Sequence, residues 1–194
     1  MHDIALFVED AAHEAFLSSV VRKLAKQLRK GVRIRALSAS GGFGRMTAEL
    51  KRYAKQLSQH RVPMPDVLLV ATDANCKGRA KRTEELNAAL GEYVELAVLA
   101  IPDPHIERWY LLDSAAFKQA IGKGCTAPGD KCERDRYKNL LSQAIREAGK
   151  EPIFEGIEYA SDIVDCMDFD RMMSGNNSLS ELLGALMARM RNLD

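Results

Sequence analysis

The five apolar residues Val67–Ala71, framed by Asp66 on one side and by Thr72 and Asp73 on the other, constrain this chain more than any other stretch. The run is short for a buried helix and shows no alternation of wet and dry positions. It therefore predicts a parallel strand covered on both faces. Asp73 and Asn75 then fall at the C-terminal edge of that strand, where open α/β sheets bind ligands. Two residues spaced by two in extended chain project to the same side, so a carboxylate there is a candidate metal ligand.

The flanking segments suit such a strand. Residues 4–8 (IALFV) end at Glu9 and give way to an amphipathic stretch over 11–28. There Ala12, Ala15, Phe16, Val20, Leu24 and Leu28 form a helical stripe, while Arg22, Lys23, Lys26 and Arg29 fall off it. Gly31 is a natural stop. Residues 32–37 alternate Val32, Ile34 and Ala36 with Arg33 and Arg35, predicting a strand with a wetter face near an edge. The glycine-rich turn 38–44 opens a helix over 45–60 and could offer backbone N–H groups to a phosphate. Neither the dinucleotide nor the Walker pattern is present, so a plain strand-to-helix turn is an equal reading.

Pro63 and Pro65 lead into the central strand. Beyond it the pattern predicts a helix over 78–90, a strand over 92–101, and a helix over 105–113 with Glu107 in its first turn. The order βαβαβαβ implies an α/β fold, a mostly parallel four-stranded sheet of Rossmann-like type with helices on its faces. Residues 114–194 differ in character, with helices predicted at 114–121, 134–148, 157–169 and 179–193 and a loop over 122–132. Ser178, with Glu181 three residues on, is the expected cap of the last helix. This divides the chain into an α/β core over 1–113 and a helical subdomain over 114–194 packed on it.

At 194 residues the chain is long enough for one well-buried core. Its formal net charge of +1 argues against a strongly basic arm that would coat nucleic acid by charge alone. Local basic stretches remain, one over 22–35 and one holding Lys77, Arg79, Lys81 and Arg82. The N-terminus has neither the cationic start nor the apolar length of a secretion signal, and no apolar run approaches bilayer-spanning length. A cytoplasmic protein with no membrane contact is the expectation. Cys76, Cys125, Cys132 and Cys166 contain no CxxC pair, and reduced thiols are expected in place of a disulfide framework or a zinc site.

Glu9, Asp73 and Glu107 carry the chemistry of this reading. Three acids at strand ends and a helix start form an oxygen-rich set of the kind that holds Mg²⁺ and leaves waters and a substrate phosphate to complete the octahedron. Each acid also fits a plain strand end or a helix N-terminus, where negative charge suits the macrodipole. Both readings stand. His13 and His105 flank the rim as candidate proton donors or as solvated helix-start histidines. Trp109 is expected to pack its helical turn onto the sheet, stacking on a base being the alternative. Lys77, Arg79, Lys81 and Arg82 fit either a phosphate-backbone contact or the wet face of a helix. Lys131 and Lys138 are candidate cations for a phosphoryl transition state. Met172, Met173, Met187 and Met190 fit adaptable core or a partner-binding face.

Three stretches resemble a known family. Residues 7–17 (FVEDAAHEAFL) resemble the opening motif of TOPRIM domains, in which a strand ends in a glutamate and turns into a helix. Residues 70–75 (VATDAN) resemble their DxD motif, and residues 102–113 (PDPHIERWYLLD) the IExW-type segment of small stand-alone TOPRIM-like proteins of bacterial defence loci. The resemblance covers about the first 110 residues and extends through 137–141 and 156–160 in those small proteins. It implies a TOPRIM-like core and a Mg²⁺- or Mn²⁺-dependent nuclease akin to overcoming-lysogenization-defect nucleases, working beside an ABC-type ATPase. It makes Glu9 a metal ligand or general base, Asp73 a ligand, Asn75 a weaker ligand and Glu107 a third acid.

Two positions depart from the family pattern. Asn75 stands where a second aspartate is usual and brings no charge, which favours a non-catalytic subunit that regulates an ATPase. Asp10 replaces the usual glycine, as an added ligand or a helix cap. A nucleotide-binding or phosphatase-like α/β domain is a third reading, and a homo-oligomer is left open.

Overall fold

The computed structural model describes residues 1–39, 41–129, 131–133, 135–175 and 177–194. Four parallel strands, β1 (His2–Val8), β2 (Val32–Ser38), β3 (Val67–Ala71) and β4 (Ala97–Ala100), form one sheet in the order β2-β1-β3-β4. Helix α1 (Ala11–Leu28) joins β1 to β2, α2 (Phe43–Ser58) joins β2 to β3, and α3 (Arg79–Leu90) joins β3 to β4. The remaining helices are α4 (Ile106–Tyr110), α5 (Ser114–Ile121), α6 (Arg136–Glu147), α7 (Ala160–Cys166), α8 (Phe169–Met173) and α9 (Ser178–Arg191). The fold is thus α/β, an all-parallel sheet flanked by helices.

Strand periodicity sorts the core into two layers. Ile4, Leu6 and Val8 of β1, Val67, Leu69 and Ala71 of β3 and Val98 and Ala100 of β4 point to one face, where α1 and helices from α4 onward cover them. Ala5, Phe7, Leu68 and Val70 point to the other and meet Met46, Leu50, Tyr53 and Leu57 of α2 and Leu86, Ala89 and Leu90 of α3. All five residues of β3 are buried, as a strand covered on both faces requires. Chain on both sides of residue 113 feeds the first layer: Phe117, Leu141, Ile163, Leu182, Leu183 and Met190 pack in the same cluster as Ile4 and Leu6.

The order β2-β1-β3-β4 places a topological switch between β1 and β3. From β1 the chain runs outward to β2 through α1 on one face, then returns across β1 to β3 through α2 on the other. The C-terminal ends of β1 and β3 therefore flank a crevice, the usual ligand site of open α/β sheets. Glu9, Asp10, Asp73 and Asn75 lie there.

Several boundaries differ from the sequence expectations. The fourth strand is confined to Ala97–Ala100, which pair with Leu68–Ala71. Gly91–Leu96 forms a 3₁₀ turn instead, and Tyr93, Val94 and Leu96 bury their apolar groups against the second layer without joining the sheet. The helix expected over 157–169 is broken. Met167 is extended, and the Asp168 carboxylate accepts from the Arg171 N–H to start α8. The last helix is capped by Asn177 in a reciprocal box with Ser180, not by Ser178. Arg134, the expected start of a helix, lies outside the described residues, as do Ser40, Asp130 and Asn176 in the expected turns and loop. β2 is an edge strand as expected, its Arg33 and Arg35 paired to Asp3.

The expectation of reduced thiols fails at one pair: Cys76 and Cys132 are joined by a disulfide across 56 residues, while Cys125 and Cys166 are free. The chain path brings the turn after β3 and the loop before α6 to a Cα separation of 5.5 Å, within the range a bridge needs.

Candidate active site

The site is built from four backbone junctions. Where β1 meets α1, Asp10 adopts extended dihedrals and caps the helix, its carboxylate accepting from the N–H groups of Ala12 and His13. The same oxygen lies 2.8 Å from His13 Nδ1. Where β3 ends, the Ala74 N–H donates to the Pro102 carbonyl and the Asn75 N–H to that of Pro104, holding the post-strand turn against the β4–α4 connection. Asn75 takes a positive φ of 51°, so it does not continue the extended chain that a two-residue spacing assumes. At the start of α4, the Ile106 N–H donates to Asp73 Oδ1 at 2.9 Å and His105 Nδ1 lies 3.0 Å from Asp73 Oδ2. The start of α6 supplies Tyr137 and Lys138.

These junctions enclose a cavity of about 320 Å³ lined by Asp10, Asp73, Asn75, His105, Glu107 and Lys138, with Cys76, Cys132, Asp135 and Tyr137 completing its wall. Larger grooves along α1, lined by Ser19, Arg22 and Ser161, lie away from the strand ends.

Buried charge organises the interior. His13 is fully buried, with Nδ1 on Asp10 and Nε2 3.2 Å from Asp73 Oδ1, close enough for an ion pair but without hydrogen-bond geometry. Burial alone would push its pKa down; the charge of Asp73 and the contacts with both carboxylates overcome this and hold it at about 10. Burial pushes Asp73 up, but the charge of His13 and the hydrogen bond with His105 outweigh it and keep Asp73 below the usual carboxylate range. In Asp10 the contact with His13 and the two backbone N–H groups likewise outweigh burial and lower it to about 2. His105 is raised by its hydrogen bond to Asp73. Glu107, 4% exposed, is raised by burial and then by the negative charge of Asp73. No ion pair among the described residues reaches its carboxylate.

A pH dependence of stability follows. The folded pKa of His13 lies above the 6.5 of an unfolded histidine, so its contribution is complete below pH 6.5 and is lost as pH rises toward 10. Asp10 works in the opposite sense, contributing above 3.8 and losing that contribution as pH falls through about 2. Urea unfolding in chelator should show stability declining between pH 6.5 and 10; a flat profile there would contradict a charged, buried His13.

The sequence candidates divide. Asp73, Asn75, Glu107 and Lys138 meet in the cavity. Glu9 does not line it: its carboxylate accepts from the Thr72 hydroxyl, and its neighbour Asp10 faces inward. The basic stretch after β3 is paired within the chain. Lys77 lies 3.8 Å from Glu85, Arg79 grips Glu181 with both terminal nitrogens, and Lys81 meets Glu84. Arg82 is buried on the Phe43 ring and donates to the Asp73 carbonyl and to Glu85. Lys138 reaches Glu155 at 3.2 Å. Trp109 is fully buried beside Phe16, its Nε1 donating to Ser178 Oγ. Met172, Met187 and Met190 are core.

The reading of His13 as a solvated helix-start histidine fails, since the side chain is fully buried. Its spacing of three from Asp10 was the available signal; its burial was not visible, because α4 packs over this turn and the Tyr110 hydroxyl donates to the Ala12 carbonyl.

The donor chemistry suits a hard divalent cation. Asp10, Asp73 and Glu107 are carboxylates around one space, Asn75 adds an amide oxygen, and the like-charge repulsion that adds to burial in raising Glu107 is what a cation relieves. Among the described residues, no three His, Cys, Asp or Glu side chains stand grouped tightly enough to grip an ion as they are. Both oxygens of Asp73 already face a histidine.

No helix among the described residues is long and apolar enough to cross a membrane. No curated protein and no solved structure matches the chain. A family model described as a domain of unknown function, DUF4276, matches residues 8–187, from the end of β1 into α9 and including every residue of the cavity, and the chain belongs to the DUF4276 family.

Proposed function

We propose that this protein is a Mg²⁺- or Mn²⁺-dependent nuclease of TOPRIM-like type, hydrolysing phosphodiester bonds of DNA or RNA in the cytoplasm. By the same resemblance it serves as the effector of an anti-phage defence system beside an ABC-type ATPase. The convergence of Asp73 and Glu107, from different elements, on one acid-lined cavity at the switch between β1 and β3 carries the reading. Asp73 and Glu107 would hold the ion, with Asn75 as a neutral oxygen donor and Asp10 at the edge of the set. A divalent ion bound there lowers the pKa of a water and neutralises charge on phosphoryl oxygens. Lys138 contributes a cation on the cavity wall for the phosphate. Asp73 pins His105 through Nδ1, leaving Nε2 as the atom that can pass a proton to the departing oxygen.

The experiment is cleavage of labelled plasmid DNA and total RNA with Mg²⁺, with Mn²⁺ and with chelator, by the wild type and by Glu107→Gln. Glu107 is buried and repelled by its neighbours, so the amide should leave stability unchanged or raise it by about 1 kcal/mol. Cutting should fall on the order of 100-fold or more. A folded variant that cuts at the wild-type rate would remove Glu107 from the site.

A second reading, a non-catalytic subunit that binds and regulates an ATPase, draws on Asn75 and on the intramolecular pairing of Lys77, Arg79, Lys81 and Arg82. A stable complex with the ATPase, equally inert in wild type and variant, would favour it.

A further inference from the structure

Both cysteines of the disulfide line the cavity. Cys76 lies in the 3₁₀ turn Asn75–Lys77, immediately after the residues that close β3, and Cys132 in the loop that leads to α6. Both residues line the same space as Asp73, His105 and Glu107. The bond thus ties an anchored part of the molecule, the end of a fully buried strand, to the outer wall of the site. Both cysteines are exposed, so a solution reductant can reach the bond.

Apart from the bond, that wall is held mostly by polar contacts. The loop contains Gly122, Gly124 and Gly129. Its ties to the body include the Tyr137 hydroxyl, which lies within hydrogen-bond distance of the Gly129 and Lys131 carbonyls, and Arg108, which donates to the Pro128 carbonyl. These are partly buried polar contacts, each worth about 1 kcal/mol; Lys123 also pairs with Glu147 and Cys125 packs against the edge of the core, but no described residue from 122 to 133 is itself fully buried.

We propose that the Cys76–Cys132 bond is a redox latch on the cavity, and that reduction by a dithiol frees the wall that carries Cys132 and opens the space. With the latch closed the space is about 320 Å³, at the small end of ligand pockets. The chemistry is thiol–disulfide exchange. A thiolate of the dithiol attacks one sulfur and the Cys76–Cys132 bond breaks. The second thiol of the reductant then displaces the mixed disulfide. Cys76 and Cys132 each end as a thiol, taking up two protons and two electrons between them, and the dithiol leaves as a cyclic disulfide. Exposed disulfides are the labile and regulatory ones, and in a reducing compartment they are commonly sensors. The latch does not depend on which ligand the cavity takes.

The test is hydrogen–deuterium exchange on the whole protein, oxidised and after dithiothreitol, for wild type and for Cys132→Ser. Amides over 122–133 should exchange at least about tenfold faster after reduction, while β1, β3 and α1 keep their protection. Cys132→Ser should exchange like the reduced wild type with or without dithiothreitol. Unchanged exchange over 122–133 on reduction would overturn the proposal, since the polar contacts would then suffice to hold the wall. Loss of protection throughout the sheet would overturn it too, marking the bond as a global staple. A protein whose two thiols stay free under oxidised glutathione would have no latch. None of these readouts requires nuclease activity, so failure of the functional reading and failure of the latch are separately visible.

Discussion

Asp73→Asn is expected to destabilise the protein by about 3–5 kcal/mol, the range for removing one partner of a buried ion pair. The substitution is nearly isosteric, so packing is not the cause. Asp73 is the carboxylate toward which His13 Nε2 and His105 Nδ1 both turn, and it also receives the Ile106 N–H. Without its charge, fully buried His13 keeps only Asp10, itself half exposed, as counter-ion. The His13 pKa should then fall, and the stability decline above pH 6.5 should weaken or vanish. Urea unfolding of wild type and variant at pH 6 and pH 9 separates the two effects. A variant as stable as wild type at pH 6 would mean that the buried imidazolium does not depend on Asp73. This expectation also decides how activity should be probed: a dead Asp73→Asn protein says little about chemistry, whereas Glu107→Gln relieves repulsion and isolates it.

Trp109→Ala should cost a similar amount, about 3–5 kcal/mol from lost packing. Its ring is fully buried between the sheet and the C-terminal helices, 5.7 Å from the centroid of Phe16. Its Nε1 donates to Ser178 Oγ at 2.9 Å, and the same oxygen receives the Asp103 N–H. The alanine therefore leaves a void and removes one partner of a buried hydroxyl. Against a total stability of about 5–15 kcal/mol for a domain, this is a large fraction. Trp109→Phe should recover most of the packing but not the hydrogen bond, leaving a residual cost of about 1 kcal/mol for the lost bond. A Trp109→Ala midpoint in urea close to wild type would show that the helices close over the gap.

The central strand and its acid were legible because five consecutive apolar residues have few ways to be buried and the chain must turn polar where the sheet ends. Glu107 was legible for a related reason, as the acid in the first turn after the next strand. Which of Glu9 and Asp10 faces the cavity was not. At a strand-to-helix junction successive side chains swing through large angles, and the choice is settled by Thr72, which binds Glu9, and by the N-cap geometry that fixes Asp10. The stretch after β3 looks like a cationic surface in one dimension. Lys81 meets an acid three residues on, but Arg79 is matched by Glu181, supplied by the last helix, 102 residues away. The disulfide was hidden likewise, since pairing depends on where two Cα atoms end up, which spacing alone does not encode.

The bond between Trp109 and Ser178 has a consequence for synthesis. Residue 178 opens the last helix and accepts from the indole N–H of Trp109, whose own helical turn supplies Glu107 and follows directly on His105. On the ribosome, a nascent chain can form β1, β3 and the capped start of α1 long before α9 emerges. Until α9 docks, Trp109 lacks the Ser178 partner of its indole N–H and part of the packing around the turn that carries Glu107. The packing around that turn is therefore completed late in translation, and a product arrested or clipped ahead of residue 178 carries Asp10, Asp73 and Glu107 without the finished setting of the cavity.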